Sequence, residues 1–347
     1  MSADHDLRSP EELKDLIGKI AEELTGFVDW PGVIPAFPPA GDGGNSVGIL
    51  KAILDHVRFL NNELGEFEAL VGYFDPPPGE IPELNGIDIY GQALPKNGRV
   101  GGDHIIYIDF RKRYQLDAIA RQAPAGIREK LQRTFRRPAL VVLDVEGHDH
   151  AAAFIAAVFH QAFLLGIPYE LKLFGQITTN LFESINARFY NSSGIFKTLT
   201  MVYGEISENG TFRFLSAAHP PPKVFSNEFD KIVDISEDRL ISFPQIGTMP
   251  TKEDSEKTVP QLGYKEKYTI NEINLMGAGD ILILYTDGLS DHRNRQGERY
   301  FPGHLEQKLR EVKGLSAREI FERIREDLRD FNPEPQDDIA FVIIKRS

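Results

Sequence analysis

Four acidic positions in this chain stand where chemistry is possible. Asp103 follows Gly101 and Gly102 and opens an apolar run. Asp144 ends the apolar run Ala139–Leu143. Asp287 follows Ile281–Tyr285 and Thr286 and precedes Gly288. Asp337 and Asp338 open the last apolar run. A carboxylate at the end of a buried strand is costly unless it is solvated, paired or bound to a cation. Several on one sheet rim repel one another unless a cation holds them. The chain has no cysteine and no clear histidine pair, so hard oxygen ligands select magnesium or manganese over zinc. Two such ions about 4 Å apart can share a bridging water, lower its pKa and stabilise in-line attack on phosphorus.

Each position also has an ordinary reading. Ala139–Ala157 reads as a strand, a Gly147 turn and an Ala-rich helix, with Asp144 or Asp149 as helix cap. His148 and His150 form H-x-H in that loop, open to a metal role, an acid role or contact with substrate phosphate. His219, before three prolines, is open to a structural or a chemical role. Ser290, Asp291 and His292 are neighbours that splay apart on a turn, not a nucleophile triad.

Composition narrows the class. The chain has 347 residues, 41% hydrophobic and 26% charged, which fits a large globular domain plus a smaller one. The absence of cysteine removes disulfides, thiolate metal sites and a cysteine nucleophile. The first residues, MSADHDLRSPEEL, lack the pattern of a secretory signal, and no apolar run approaches the roughly 18 residues of a membrane span. The expectation is a cytoplasmic protein with no membrane partner. A net charge of −13 argues against general nucleic-acid binding. Between Arg111 and Pro138, however, nine basic residues face only Asp117 and Glu129. That run reads as a docking site for an acidic or phosphorylated partner, or as a solvated helix face. Arg111, Lys112 and Arg113 open it and are the expected substrate-binding residues.

The elements that must position these groups follow from periodicity. Ser9, Pro10 and Glu12 start a helix to Val28, and Trp30–Gly44 is loop. A second helix, 46–73, carries Val47, Leu50, Leu54, Val57, Leu64, Phe67 and Val71 in a narrow stripe with Asn61. That stripe predicts a homodimer through 46–73. The DPPPG run at 75–79 marks the linker, so a helical regulatory region 1–75 is followed by linker 76–80 and a second domain 81–347 with a basic insertion at 111–138. In that domain, strands are expected at Ile87–Ala93, Ile105–Phe110, Ala139–Leu143, Lys197–Ile206, Thr211–Ala217, Ile270–Leu275, Ile281–Tyr285 and Ile339–Lys345. Helices are expected around Gln115–Phe135 with a break near Pro124, over Phe154–Leu165, over Glu170–Tyr190, and from the Ser316/Glu319 cap to Phe331. This is a mixed α+β layered domain with no internal repeat.

VGGD at 100–103, LDVEGHD at 143–149, AAHPPP at 217–222, GDILILYTDGLSDHRNRQGE at 279–298 and DDIAFVII at 337–344 resemble, in that order, the metal-dependent PPM-type serine/threonine phosphatases. They are most similar to the bacterial SpoIIE-like branch. The resemblance spans about residues 81–347 and implies a central β-sandwich flanked by helices, in α-β-β-α layers. It implies two Mn²⁺ or Mg²⁺ ions held by Asp103, Asp144, Asp287 and Asp337 with the Val145 backbone carbonyl, Asp338 being secondary. Asp144 and Asp287 would act through metal-bound water, with His148 assisting. The implied substrate is a phosphoserine or phosphothreonine protein, such as an anti-sigma-factor antagonist in bacterial stress signalling. The chain departs from the family pattern at Asp149, where glycine is usual, at Ala340, and in the long basic segment. Two other readings share these residues: a non-catalytic binding module of the same fold, and a phosphatase of a small phosphorylated metabolite.

Overall fold

Runs such as Ala139–Leu143 and Ile281–Tyr285 are apolar at odd and even positions alike, so each strand must be covered on both faces. The computed structural model describes residues 58–59, 62–73, 80–96, 100–192, 197–233, 235, 240–253, 260–274 and 277–347. The chain divides into two units, Met1–Ala69 and Leu70–Ser347. In the first, the described residues 58–59 and 62–69 are helical. The expected helix to Val28, the loop 30–44, half of the helix 46–73 and the linker up to Gly79 lie outside the described residues.

The second unit holds β1 (Ile87–Leu94), β2 (His104–Ile108), α1 (Phe110–Arg113), α2 (Leu116–Gln122), α3 (Ala125–Thr134), β3 (Ala139–Val145), α4 (His150–Phe174) and α5 (Thr179–Asn191). Then come β4 (Leu199–Ile206), β5 (Phe212–Ala217), β6 (Lys223–Ser226), β7 (Lys231–Val233), β8 (Ser242–Phe243), β9 (Asn271–Ile273) and β10 (Ile281–Tyr285). The order closes with α6 (Asp287–Ser290), α7 (Gly303–Val312), α8 (Ala317–Phe331) and β11 (Ile339–Arg346). One sheet has the order β1-β11-β10-β6-β7. The other has β2-β3-β4-β5-β8, with β9 also on β5.

Alternate residues of each strand serve different layers. Leu140 and Val142 of β3, Leu282 and Leu284 of β10, and Val342 and Ile344 of β11 meet between the sheets. Val141 and Leu143 pack outward with Phe159, Phe163 and Leu171 of α4 and Phe182 of α5. Ile283 and Phe341 pack outward with Leu309 of α7 and Phe321 and Ile324 of α8. The four layers run helix, sheet, sheet, helix, as the resemblance implies.

The break in the basic segment falls as expected, with Pro124 as N-cap of α3. The long mid-domain helices divide elsewhere than the sequence suggests. Gly166 and Pro168 read as the stop, yet α4 continues through both to Phe174. It ends at Gly175, whose φ of 71° is left-handed and whose N–H bonds Leu171 O. Gly166 instead makes room: a Cβ there would lie 2.1 Å from Leu181 Cδ1. Among the described residues, α4 is the one helix long and apolar enough to cross a membrane, and half of its most apolar window is buried in the protein.

The irregular stretch between β8 and β9 is fastened to α5. Lys265 Nζ lies 2.6 Å from Glu183 Oε2 and 3.5 Å from the Tyr268 ring centroid. Asn186 accepts from Gly247 N at 2.9 Å and donates to Met249 O at 2.9 Å. The expected capping box of α8 forms between Ser316 and Glu319.

Burial also holds several histidines neutral, among them His104, which burial and then the His160 charge push down to about 3 and which shares a 2.7 Å hydrogen bond with His160. Burial, aided by the Arg113 charge, pushes His160 down to about 4, and burial pushes His219 down to about 3. A depressed histidine pKa means that the unfolded chain takes the proton first. The stability is complete above about 6.5 and falls as pH drops through that value toward about 4. His160→Gln removes one such group. In urea melts, the gap between wild type and this variant should narrow by about 2 kcal/mol from pH 7.5 to pH 5.

Candidate metal centre

Strand register brings the separated aspartates to one rim. β2 and β3 are antiparallel with His104 opposite Leu143, so Asp103 lies just beyond the pairing, at the Asp144 end. β10 pairs β11 with Tyr285 opposite Phe341, which sets Thr286–Asp287 beside Asp338–Ala340. Asp103 and Asp338 are buried, Asp144 and Asp287 half-buried to exposed, and Asp337 exposed. The glycines before Asp103 are required by close approach. A Cβ on Gly101 would lie 2.3 Å from Asp338 Oδ2, and one on Gly102 would lie 2.4 Å from the Val145 carbonyl oxygen.

Two side chains tie the sheets together here. Thr286 Oγ1 donates to Asp103 Oδ2 at 2.6 Å and accepts from Ala340 N at 2.9 Å. Asp338 accepts from Lys96 N through Oδ1 and from Gly102 N through Oδ2, both at 2.7 Å. A threonine ending an apolar run reads as a strand former, so its residue type alone does not mark Thr286 as part of the site. Its position between Ile281–Tyr285 and Asp287 is the signal that could have found it.

Electrostatics report the crowding. Burial, then the Asp144 charge, holds Asp103 well above the carboxylate range, against the Thr286 hydrogen bond. Burial, then the charges of Asp287 and Asp337, pushes Asp144 up to about 7. Burial and Asp337 raise Asp287, while its hydrogen bond to Asp144 opposes the rise. Burial also raises Asp338, opposed by the Lys96 and Gly102 N–H groups, and the His148 charge lowers it. Among the described residues no three histidine or acidic side chains close on one ligating point. Their oxygens engage one another and backbone N–H groups instead. The donor chemistry nevertheless fits hard divalent cations: oxygen ligands only, with negative charge concentrated beyond what neighbouring cations neutralise.

His148 is exposed on the β3–α4 turn, and His150 is the first residue of α4. Asp149 caps α4 by accepting from Ala152 N at 2.8 Å. His219 shares a hydrogen bond with Thr200 Oγ1 at 2.9 Å, and Thr200 pairs Asp144 in register. Ser290 donates to Asp287 O at 3.1 Å, and the His292 ring meets Leu328 O at 3.2 Å, so these residues form no triad. Arg111, Lys112 and Arg113 are not brought to the carboxylates. β2 carries the chain from Asp103 to the far end of the sheet, about 20 Å along six residues. There Lys112 pairs Glu83 at 2.8 Å and Arg113 pairs Glu80 at 3.3 Å.

A family model described as Stage II sporulation protein E (SpoIIE) matches residues 136–347. No curated protein matches the chain. Among solved structures, the SiaA-PP2C domain of Pseudomonas aeruginosa aligns at a TM-score of 0.56 and 14% identity, covering 84% of this chain and 98% of that one. The RsbU and RsbW domains of a Mycobacterium tuberculosis protein align at 0.52 and 20% identity, covering 77% of this chain and 61% of that one. The PP2C phosphatase domain and regulatory fragment of SpoIIE from Bacillus subtilis align at 0.50 and 16% identity, covering 75% and 62%. The last two structures extend well beyond what this chain spans. These likenesses show a shared PP2C fold.

Crowding at the rim predicts a stability gain from neutralising it. A raised carboxyl pKa stabilises fully at low pH, and that stabilisation is lost as pH rises through about 7. In chelator at pH 8, Asp144→Asn should therefore be more stable than wild type, by on the order of 2 kcal/mol. Urea melts at pH 8 and pH 5 check this, since the advantage should shrink at the lower pH.

Proposed function

The chain belongs to the Stage II sporulation protein E (SpoIIE) family, and we propose that it hydrolyses phosphoserine or phosphothreonine in a protein substrate. The observation that carries this reading is the gathering of Asp103, Asp144, Asp287, Asp337 and Asp338 into one electrostatic cluster, with Asp144 raised to about 7. A rim so charged is suited to divalent cations. Asp103, Asp144, Asp287 and Asp337 would hold two Mn²⁺ or Mg²⁺ ions together with the Val145 carbonyl, and Asp338 would act mainly as a brace. Bound there, the ions supply Lewis acidity and an activated water for in-line attack on phosphorus, with no covalent phosphoenzyme.

The chain's own groups have separate tasks. Thr286 keeps Asp103 aimed at the rim by its 2.6 Å hydrogen bond. Asp338 holds the Gly101–Gly102 backbone against the site. His148, exposed beside this rim, is assigned the proton given to the departing seryl or threonyl oxygen. Arg111, Lys112 and Arg113 are assigned to docking the protein substrate away from phosphorus, because β2 separates them from the carboxylates. The resemblance to the SpoIIE-like branch, with the family match over residues 136–347, is what suggests an anti-sigma-factor antagonist as substrate and a cytoplasmic site of action. The stripe of apolar residues in 46–73 supports a homodimer.

Purified protein should hydrolyse p-nitrophenyl phosphate only with manganese or magnesium, and chelator should abolish the rate. Asp287→Asn should lower kcat on the order of 100-fold. A variant with undiminished kcat would sink the assignment. Preference for a phosphoseryl peptide over small phosphate esters would separate a protein phosphatase from a metabolite phosphatase. In light scattering, a chain beginning at Glu80 should run as a monomer while the full chain runs as a dimer.

A further inference from the structure

Val145 ends β3, the turn to α4 carries Glu146, Gly147, His148 and Asp149, and two residues preceding β4 hold it. Glu146 N donates to Thr198 O at 3.0 Å, and Thr198 Oγ1 donates to Glu146 Oε2 at 3.0 Å. Lys197 Nζ donates to the Glu146 carbonyl at 2.9 Å and lies 3.0 Å from Asp149 Oδ1 and 3.1 Å from Asp149 Oδ2. Successive peptide planes are thereby fixed. The 145–146 plane, which contains the Val145 carbonyl, is held by Thr198. The 146–147 plane is held by Lys197. The next residue, Gly147, has a φ of 91°, a backbone that leaves this peptide free to rotate unless something holds it. The ammonium sits over it closely: a Cβ on Gly147 would lie 2.9 Å from Lys197 Nζ. Asp149 is itself immobilised as the α4 cap, so the lysine is anchored to a helix end.

We propose that Lys197 is a positioning residue for the metal centre, clamping the Glu146 carbonyl to the Asp149 carboxylate and so, with Thr198 on the adjoining peptide plane, fixing the turn that aims the Val145 carbonyl. Lys197 supplies the counter-charge to Asp149 from 48 residues away in the chain. The proposal rests on the metal-dependent reading above.

The sign of one measurement separates this role from a purely electrostatic one. A lysine that acted only through its charge would repel cations, so its removal would tighten manganese binding. A clamp predicts the opposite. In calorimetric titration of the full chain with MnCl₂, Lys197→Met should weaken manganese affinity about tenfold, the range seen when groups supporting metal ligands are lost. Lys197→Arg keeps the charge and the donors and should restore most of it. In the metal-free protein, Lys197→Met should also speed hydrogen exchange at the Glu146 and Gly147 amides, a readout independent of metal. Lys197 is partly exposed, so the variant is expected to fold. Lys197→Gln serves as the second variant, and its loss should match that of Lys197→Met. Unchanged or tighter manganese binding in both variants, with binding still lost in Asp144→Asn, overturns the clamp alone. A wild-type chain that takes up no manganese overturns the metal reading and the clamp with it.

Discussion

The site end of this molecule depends on a few hydrogen bonds that fasten the rims of two sheets. Apolar packing sets the distance between sheets, about 10 Å, but it is non-directional and does not fix how their edges meet. Thr286 and Asp338 do that. Thr286 follows a strand of one sheet and donates to Asp103, which precedes a strand of the other. Asp338 bridges Lys96 beyond β1 and Gly102 before β2, using one oxygen for each. Hydrogen bonds to an ionised acceptor are roughly twice as strong as neutral ones. A buried carboxylate with two such donors is therefore a brace as well as a charge.

That brace leaves an imbalance among the remaining acids. Asp338 has backbone donors and Asp103 has Thr286, but Asp144 and Asp287 hydrogen-bond mainly to each other. The nearby ammonium groups are directed elsewhere. Lys96 Nζ donates to Gln336 O, and Lys197 to Glu146 O and Asp149. The rim thus concentrates negative charge without quenching it, an arrangement that is costly to the fold and chemically suited to cations.

Much of this was legible in the sequence. Strands buried on both faces announce themselves as continuous apolar runs, and a carboxylate ending such a run stands out. What could not be read is where one dimension hides another. Arg111–Arg113 stand eight to ten residues after Asp103 in the chain, yet an intervening strand carries them to the opposite end of the sheet. Gly166 and Pro168 are the strongest helix breakers in their stretch, but α4 runs through both, because Gly166 is needed for the close approach of Leu181 and tertiary packing outweighs propensity. The real stop, Gly175, lies against α3: its carbonyl accepts from Thr134 Oγ1 at 2.8 Å. No local pattern contains that partner.

The basic segment illustrates how a charge run is divided between fold and surface. Arg128 donates to Ala120 O and Ala123 O at 3.2 Å each, so it satisfies carbonyls at the end of α2, where a cation is also favoured by the helix dipole. Arg133 pairs Glu129 one helical turn earlier at 2.6 Å, and the Arg137 charge acts on buried Glu205. Lys112 and Arg113 pair Glu83 and Glu80. Most of the excess charge is thus used within the domain, holding short helices α1 to α3 on the sheet. The helices α2 and α3 need such support, since neither has a side-chain N-cap. Exposed Lys130 and Arg136 are left facing solvent.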